Sequence, residues 1–174
     1  MNGLNKKVLY SKEEIRKRVH ELGETLSRDY SGRELVVVGV LKGAFIFMAD
    51  LIRCLRVPCT IDFIRAASYG SSSISSGEVA ITKDLETDIA GKDVLLIEDI
   101  IDTGITLNAL VSKLKERNPN SLRVCALIDK RLRRQVKFEA DYVGFTVDDG
   151  FLVGYGLDFN EMARFHPDIY VVEV

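Results

Sequence analysis

Glu98 and Asp99 are adjacent carboxylates, and Asp102-Thr103-Gly104-Ile105-Thr106 follows them after two isoleucines. An apolar run, Val94-Leu95-Leu96-Ile97, precedes the acids, and Leu107 continues beyond the small residues. This order reads as a buried strand, a carboxylate pair, a tight turn and the start of a helix. Backbone N–H groups at a helix N-terminus, helped by threonine hydroxyls, cradle a phosphate. Two carboxylates so close by would repel a bare phosphate. They suit a ligand with a phosphate at one end and hydroxyls or a metal ion at the other, which describes a sugar phosphate.

Several other chemistries are disfavoured. No Gly-x-x-x-x-Gly-Lys-[Ser/Thr] run occurs, and Gly154-Tyr155-Gly156 is only a fragment of a dinucleotide fingerprint. The only histidines are His20 and His166, and Cys54, Cys59 and Cys125 show no zinc-ligand spacing. The cysteines are therefore expected to be reduced and structural. A formal net charge of -2 gives no reason to expect nucleic acid or an anionic membrane as a partner. No apolar run is long enough to cross a bilayer, and the first residues lack a signal-peptide apolar region, so a cytoplasmic location is expected. A receiver-like signalling domain with Asp99 as phosphoacceptor would leave Thr103-Gly104-Ile105-Thr106 without a reason.

The elements that must position these residues follow from pattern. Ser11-Lys12-Glu13-Glu14 is a capping box, and Ile15, Val19, Leu22 and Leu26 place an apolar stripe on the helix it opens. That helix should stop at Arg28 to Gly32. Residues 34–40 are a β-branched run long enough for a buried strand. Leu41-Lys42-Gly43-Ala44 turns the chain into an apolar helix ending near Leu55. Further strands are expected over 59–64, 78–82, 94–97, 122–128, 142–147, 151–155 and 169–174, with a helix from Thr106 to near Arg117. The polar segment 67–80, carrying Ser68 and Tyr69, reads as a lid loop. Strands alternating with helices predict an α/β fold, a mostly parallel twisted sheet with helices on both faces. The chain ends and the late short strands should form a small hood over it, all within one domain spanning 1–174. Ligands of such sheets bind beyond the carboxyl ends of the strands. Lys42-Gly43, the 98–106 segment and Asp129-Lys130 should therefore meet on one rim. The basic run from Lys130 to Lys137 reads as a solvated face at Arg133, Arg134 and Lys137, and Asp148-Asp149-Gly150 reads as a turn.

The Glu98 to Thr106 segment resembles the signature of type I phosphoribosyltransferases, which bind phosphoribosyl pyrophosphate (PRPP). Leu41 to Ala44, Asp62 to Arg65, Ser68-Tyr69, Asp129-Lys130-Arg131 and Phe151 to Asp158 are similar, in order and spacing, to the hypoxanthine-guanine phosphoribosyltransferases. The resemblance spans nearly the whole chain and looks like the bacterial form. It implies transfer of the phosphoribosyl group to a 6-oxopurine with Mg²⁺ as cofactor. It assigns Glu98, Asp99, Asp102, Thr103, Gly104, Ile105 and Thr106 to the ribose phosphate, with Asp102 as general base at purine N7. It assigns Lys42, Gly43, Arg164, Ser68 and Tyr69 to the pyrophosphate, and Ile100, Lys130, Phe151, Leu152 and Asp158 to the purine. Glu98, Asp99 and Asp158 are implied around the metal, a cis peptide at Leu41–Lys42, and a homodimer or homotetramer as the assembly. Ile105 and Ala67 depart from relatives that carry Lys at those positions. Within the resemblance, Lys130 favours an oxygen over an amino group at purine C6, because Lys only donates. A relative that keeps the PRPP loop but binds RNA or DNA is the alternative of another class, and the net charge opposes it.

Overall fold

A computed structural model describes residues 6–68 and 79–172. The elements are β1 (Lys6–Tyr10), α1 (Lys12–Asp29), β2 (Leu35–Val40), α2 (Phe45–Ile52), β3 (Cys59–Ser68), β4 (Val79–Lys83), β5 (Asp93–Ile101), α3 (Ile105–Lys115), β6 (Ser121–Lys130), β7 (Tyr142–Val147), β8 (Phe151–Val153) and β9 (Ile169–Val172). Six strands form one sheet in the order β4-β3-β2-β5-β6-β7, and β1-β9-β8 form a second, smaller one. In the large sheet β3, β2, β5, β6 and β7 run parallel, and β4 closes one edge antiparallel to β3. The small antiparallel sheet unites both chain ends with β8 and is the expected hood.

Period-two alternation explains why helices cover both faces of the large sheet. Leu35 and Val37 of β2, Leu95 and Ile97 of β5, and Cys125 and Leu127 of β6 pack with α1 and α2 residues such as Ile15, Leu26, Phe47 and Leu51. Their neighbours Val36, Val38, Val94, Leu96, Val124 and Ala126 pack on the other side with Leu107, Leu110, Val111 and Leu114 of α3. Strands buried on both faces read as unbroken apolar runs, as these do. Helix α1 starts where the capping box places it. Ser11 Oγ accepts from Glu14 N at 3.4 Å, and the Glu14 carboxylate accepts from Ser11 N at 2.8 Å.

Several element bounds differ from expectation, and one strand was not expected. β5 does not end at Ile97; it runs through both acids to Ile101, because Glu98, Ile100 and Ile101 still pair with Ala126, Ile128 and Asp129 of β6. The acids are therefore held by a ladder, not a loop. β1 had no signal of its own, since its pairing partner β9 lies at the far end of the chain. α2 ends at Ile52, a turn earlier than Leu55. Of the lid expected over 67–80, the backbone of Ala67 and Ser68 pairs with Ala80 and Val79, and Tyr69 lies outside the described residues.

Asp93 pins the start of β5. Its carboxylate accepts from Asn120 Nδ2 at 2.8 Å and Ser121 Oγ at 2.5 Å, and Arg33 lies 3.8 Å away. The Ser121 bond, opposed by burial and aided by Asn120 and Arg33, holds its pKa below the ordinary 3.8. A depressed folded pKa means stabilisation that is full above the unfolded value and is lost as pH falls through the folded one. Asp93→Asn should therefore be less stable than the parent at neutral pH, by about 1–3 kcal/mol. The gap should narrow as pH drops below about 3.8. Urea unfolding at both pH values checks this; an equal gap at both would contradict it.

Candidate active site

The site is built on the carboxyl ends of β2, β5 and β6. After Ile101 the chain turns through Asp102-Thr103-Gly104, where Gly104 has φ 80°, and α3 begins at Ile105. The left-handed glycine turns the chain from strand direction into helix direction. The first N–H groups of α3 have no i−4 carbonyl and face outward. Thr103 Oγ1 accepts weakly from Ile105 N at 3.4 Å, so the hydroxyl sits at the helix mouth. Thr103 to Thr106 thus bring free backbone N–H groups and two hydroxyls to one helix start, a geometry that could hold an anion.

Glu98 and Asp99 are half-buried, and their hydrogen bonds run to nearby backbone. Asp99 N donates to Glu98 Oε1 at 3.0 Å, and Ile100 N donates to Asp99 Oδ1 at 2.8 Å. Burial first, then the neighbouring Asp99 charge, pushes the Glu98 carboxyl well above its ordinary range. Burial also raises Asp99. A pair that resists full ionisation in isolation is one that a cation or ribose hydroxyls would stabilise. Among the described residues no group of three or more His, Cys, Asp or Glu side chains could hold a metal alone. Two carboxylates with remaining positions left to substrate oxygens and water is the usual donor set for Mg²⁺, so these residues fit that ion.

The Leu41–Lys42 peptide is cis, as the resemblance implied. It leads into Gly43, where a Cβ would overlap the Asp99 carboxylate, so that either the acid or the loop would have to shift. Gly156 approaches the same loop from the hood, and a Cβ on it would collide with the Gly43 carbonyl. The Gly154-Tyr155-Gly156 fragment is thus a tight hood turn with positive φ throughout.

Asp102 lies in the turn between β5 and α3. Its Oδ1 is buried without a hydrogen-bond partner, while Oδ2 lies 3.4 Å from Arg133 Nη1. Lys130 is 4 % exposed at the last position of β6, unusual burial for a lysine. Ile100 sits opposite Ile128 on the neighbouring strand. Leu152 is buried in β8, and Phe151 remains 37 % exposed, meeting Phe159 edge-on at 5.4 Å. Asp149 accepts from Gly150 N at 2.8 Å, in keeping with a turn at Asp148-Asp149-Gly150.

The basic run corrects one expectation. Arg134 is not on a solvated face: it pairs with Asp129, donates to Phe138 O at 2.9 Å and to Lys130 O at 3.4 Å. A Cβ on Gly104 would come within 3.0 Å of Arg134 Cδ, and Gln135 N donates to Thr103 O at 2.9 Å. The segment after Lys130 thus folds back over the phosphate turn. Charge density suggested solvent; what it hid is that Asp129, one residue before Lys130, waits as a buried partner.

On the other side, Arg164 donates to Gly156 O at 2.7 Å and pairs with Asp158 at 2.7 Å. Asp158 therefore faces a cation of its own. Lys42 Nζ lies 2.9 Å from Glu161 Oε2. Glu161 was not among the expected site residues, although its place three residues before Arg164 in an acid-rich hood loop was a usable signal. A separate cavity of about 720 Å³, lined by Ile15, Val19, Ile46 and Tyr155 among others, contains none of the expected site residues. No helix among the described residues is long and apolar enough to cross a membrane.

A family model described as a phosphoribosyl transferase domain matches residues 6–160. The chain is 47% identical over 174 residues to a hypoxanthine-guanine phosphoribosyltransferase of Aquifex aeolicus, covering 99% of this chain and 98% of that one. It is 48% identical to a hypoxanthine-guanine phosphoribosyltransferase of Bacillus subtilis, over 96% of this chain and 93% of the other. A solved hypoxanthine phosphoribosyltransferase from Staphylococcus aureus superposes with a TM-score of 0.94 at 45% identity, covering 99% of this chain and 93% of that one.

Proposed function

Because the chain belongs to the hypoxanthine-guanine phosphoribosyltransferases, pentosyltransferases of purine salvage, we propose that it transfers the 5-phosphoribosyl group of PRPP to hypoxanthine or guanine, giving IMP or GMP and pyrophosphate. The observation that carries this reading is the junction of β5 and α3. Two half-buried acids lie near the end of β5, and after the Asp102-Thr103-Gly104 turn the free N–H groups of α3 open beside them.

In this reading Glu98 and Asp99 hold the ribose hydroxyls, and residues 102–106 hold the 5′-phosphate. Purine N9 forms a bond to the anomeric carbon while the carbon–oxygen bond to pyrophosphate breaks. The N7 proton passes to the Asp102 carboxylate. The open Oδ1 supports that role, since it is a buried acceptor with nothing to accept. Lys130 donates to O6, Ile100 and Phe151 flank the ring, and Leu152 meets its edge through backbone. Lys42, Gly43 and Arg164 receive the pyrophosphate, with Asp158 beside Arg164. Ser68 and Tyr69, whose side chains lie outside the described residues, are assigned the exclusion of water from the reaction. Mg²⁺ held by Glu98 and Asp99, with Asp158 nearby in a second set, would neutralise charge growing on the leaving group. The proposed assembly is a homodimer or homotetramer.

The test is turnover. With PRPP and Mg²⁺, hypoxanthine and guanine should be converted to nucleotides and adenine should not, because Lys130 cannot accept from an amino group. Xanthine in the same panel defines the C2 preference. No turnover with any base would overturn the reading, and turnover with adenine alone would overturn the role of Lys130.

A further inference from the structure

We propose that Glu161 is a built-in stand-in for the pyrophosphate group, its carboxylate bridging Lys42 and Arg164 until the diphosphate displaces it. The inference rests on the reading of Lys42 and Arg164 as the pyrophosphate contacts.

One carboxylate oxygen carries the observation. Glu161 Oε2 lies 2.9 Å from Lys42 Nζ and 3.3 Å from Arg164 Nη2. Lys42 comes from the loop after β2 and Arg164 from the hood, 122 positions later by the difference of their numbers. A single anionic oxygen between two cations from separate elements is the arrangement that a diphosphate oxygen would take there. Asp158 differs, because it pairs with Arg164 alone among these two.

The loop is shaped to deliver this side chain. Asn160, Glu161 and Ala163 have φ of 49°, 64° and 75°, a region non-glycine residues seldom adopt. Asp158 Oδ2 accepts from Glu161 N at 2.8 Å, and Phe159 and Met162 exchange backbone bonds at 2.9 and 3.1 Å. Arg164 is fixed by Gly156 O and is only 18 % exposed, whereas the Lys42 and Glu161 side chains are 45 % and 61 % exposed. The anchored cation is preorganised, and the exposed pair is weak enough to exchange.

The consequence is competition. A diphosphate brings several charged oxygens and outcompetes one carboxylate, but it must first displace it. Glu161 therefore weakens the hold on pyrophosphate and speeds its release, while keeping Lys42 and Arg164 in register between turnovers.

Calorimetric titration of inorganic pyrophosphate with Mg²⁺ into the full-length protein tests this. Glu161→Gln should bind pyrophosphate about threefold to tenfold more tightly than the parent, the loss of one or two exposed ion-pair competitors. The gap should shrink as salt rises from about 0.05 to about 0.5 M. Glu161→Asp, which keeps the charge, should stay closer to the parent than Glu161→Gln does. Equal or weaker binding by Glu161→Gln in a protein that melts with the parent would overturn the stand-in role and leave the site reading intact. Binding by neither protein would overturn the assignment of Lys42 and Arg164, and this inference with it.

Discussion

Asp102→Asn should lower turnover about a hundredfold while leaving PRPP binding nearly unchanged. The amide keeps the shape of the side chain and can still sit beside Arg133, but it cannot take a proton from purine N7. General-base removal typically costs about 10²–10⁴ in rate. Binding should survive because the proposed cradle would use the backbone of 102–106 and the Thr103 and Thr106 hydroxyls, and none of these depends on the Asp102 carboxylate. The charge lost opposite Arg133 belongs to a partly exposed pair at 3.4 Å and is worth little. Single-turnover rates and PRPP titration separate the two quantities. Unchanged turnover would remove Asp102 as the base, and loss of PRPP binding would make it a structural residue of the turn.

Gly43→Ala should be as damaging by another route. The added methyl group would fall onto the Asp99 carboxylate, so Asp99 or the Lys42-Gly43 loop must move. Moving Asp99 breaks its 2.8 Å bond with Ile100 N and shifts the acid that is proposed to hold the ribose. A displacement near 1 Å at a positioning group can cost about 10²-fold, and kcat/KM for PRPP should fall by that order. The fold should be retained, since the atoms nearest the added methyl group are those of the Asp99 side chain. Thermal melting alongside steady-state kinetics checks both halves. A variant with parental kinetics would mean that the loop yields freely and that the close approach of Gly43 to Asp99 has no catalytic value.

These two sites illustrate what was legible from residues alone. The Asp102 turn announces itself because an apolar strand, small residues and a helix start are all local signals, and local signals survive in a linear chain. The same holds for the Ser11 capping box, which α1 obeys at its first residue. The constraint at Gly43 is different. Glycine after Lys42 suggested a turn, but its reason is a carboxylate 56 positions away in the numbering, brought close by the parallel pairing of β2 and β5.

The misread elements share that cause. β5 was cut short because Glu98 and Asp99 are polar, yet ladder bonds to β6 hold them extended where a site needs rigid acids. β1 exists only because β9 returns beside it. Arg134 was placed in solvent because four basic neighbours surround it, and the buried Asp129 that neutralises it cannot be matched to it by spacing. Glu161 was passed over because its spacing from Arg164, although a signal, gave it no role without a second cation. Its meaning comes from Lys42, which only the fold brings within 2.9 Å.

The most direct test of the central claim is a crystal structure with ribose 5-phosphate and Mg²⁺. The phosphate should lie on the backbone N–H groups of residues 102–106, and the ribose hydroxyls should face Glu98 and Asp99, directly or through the ion. A phosphate bound elsewhere, with the β5–α3 turn left to solvent, would contradict the account.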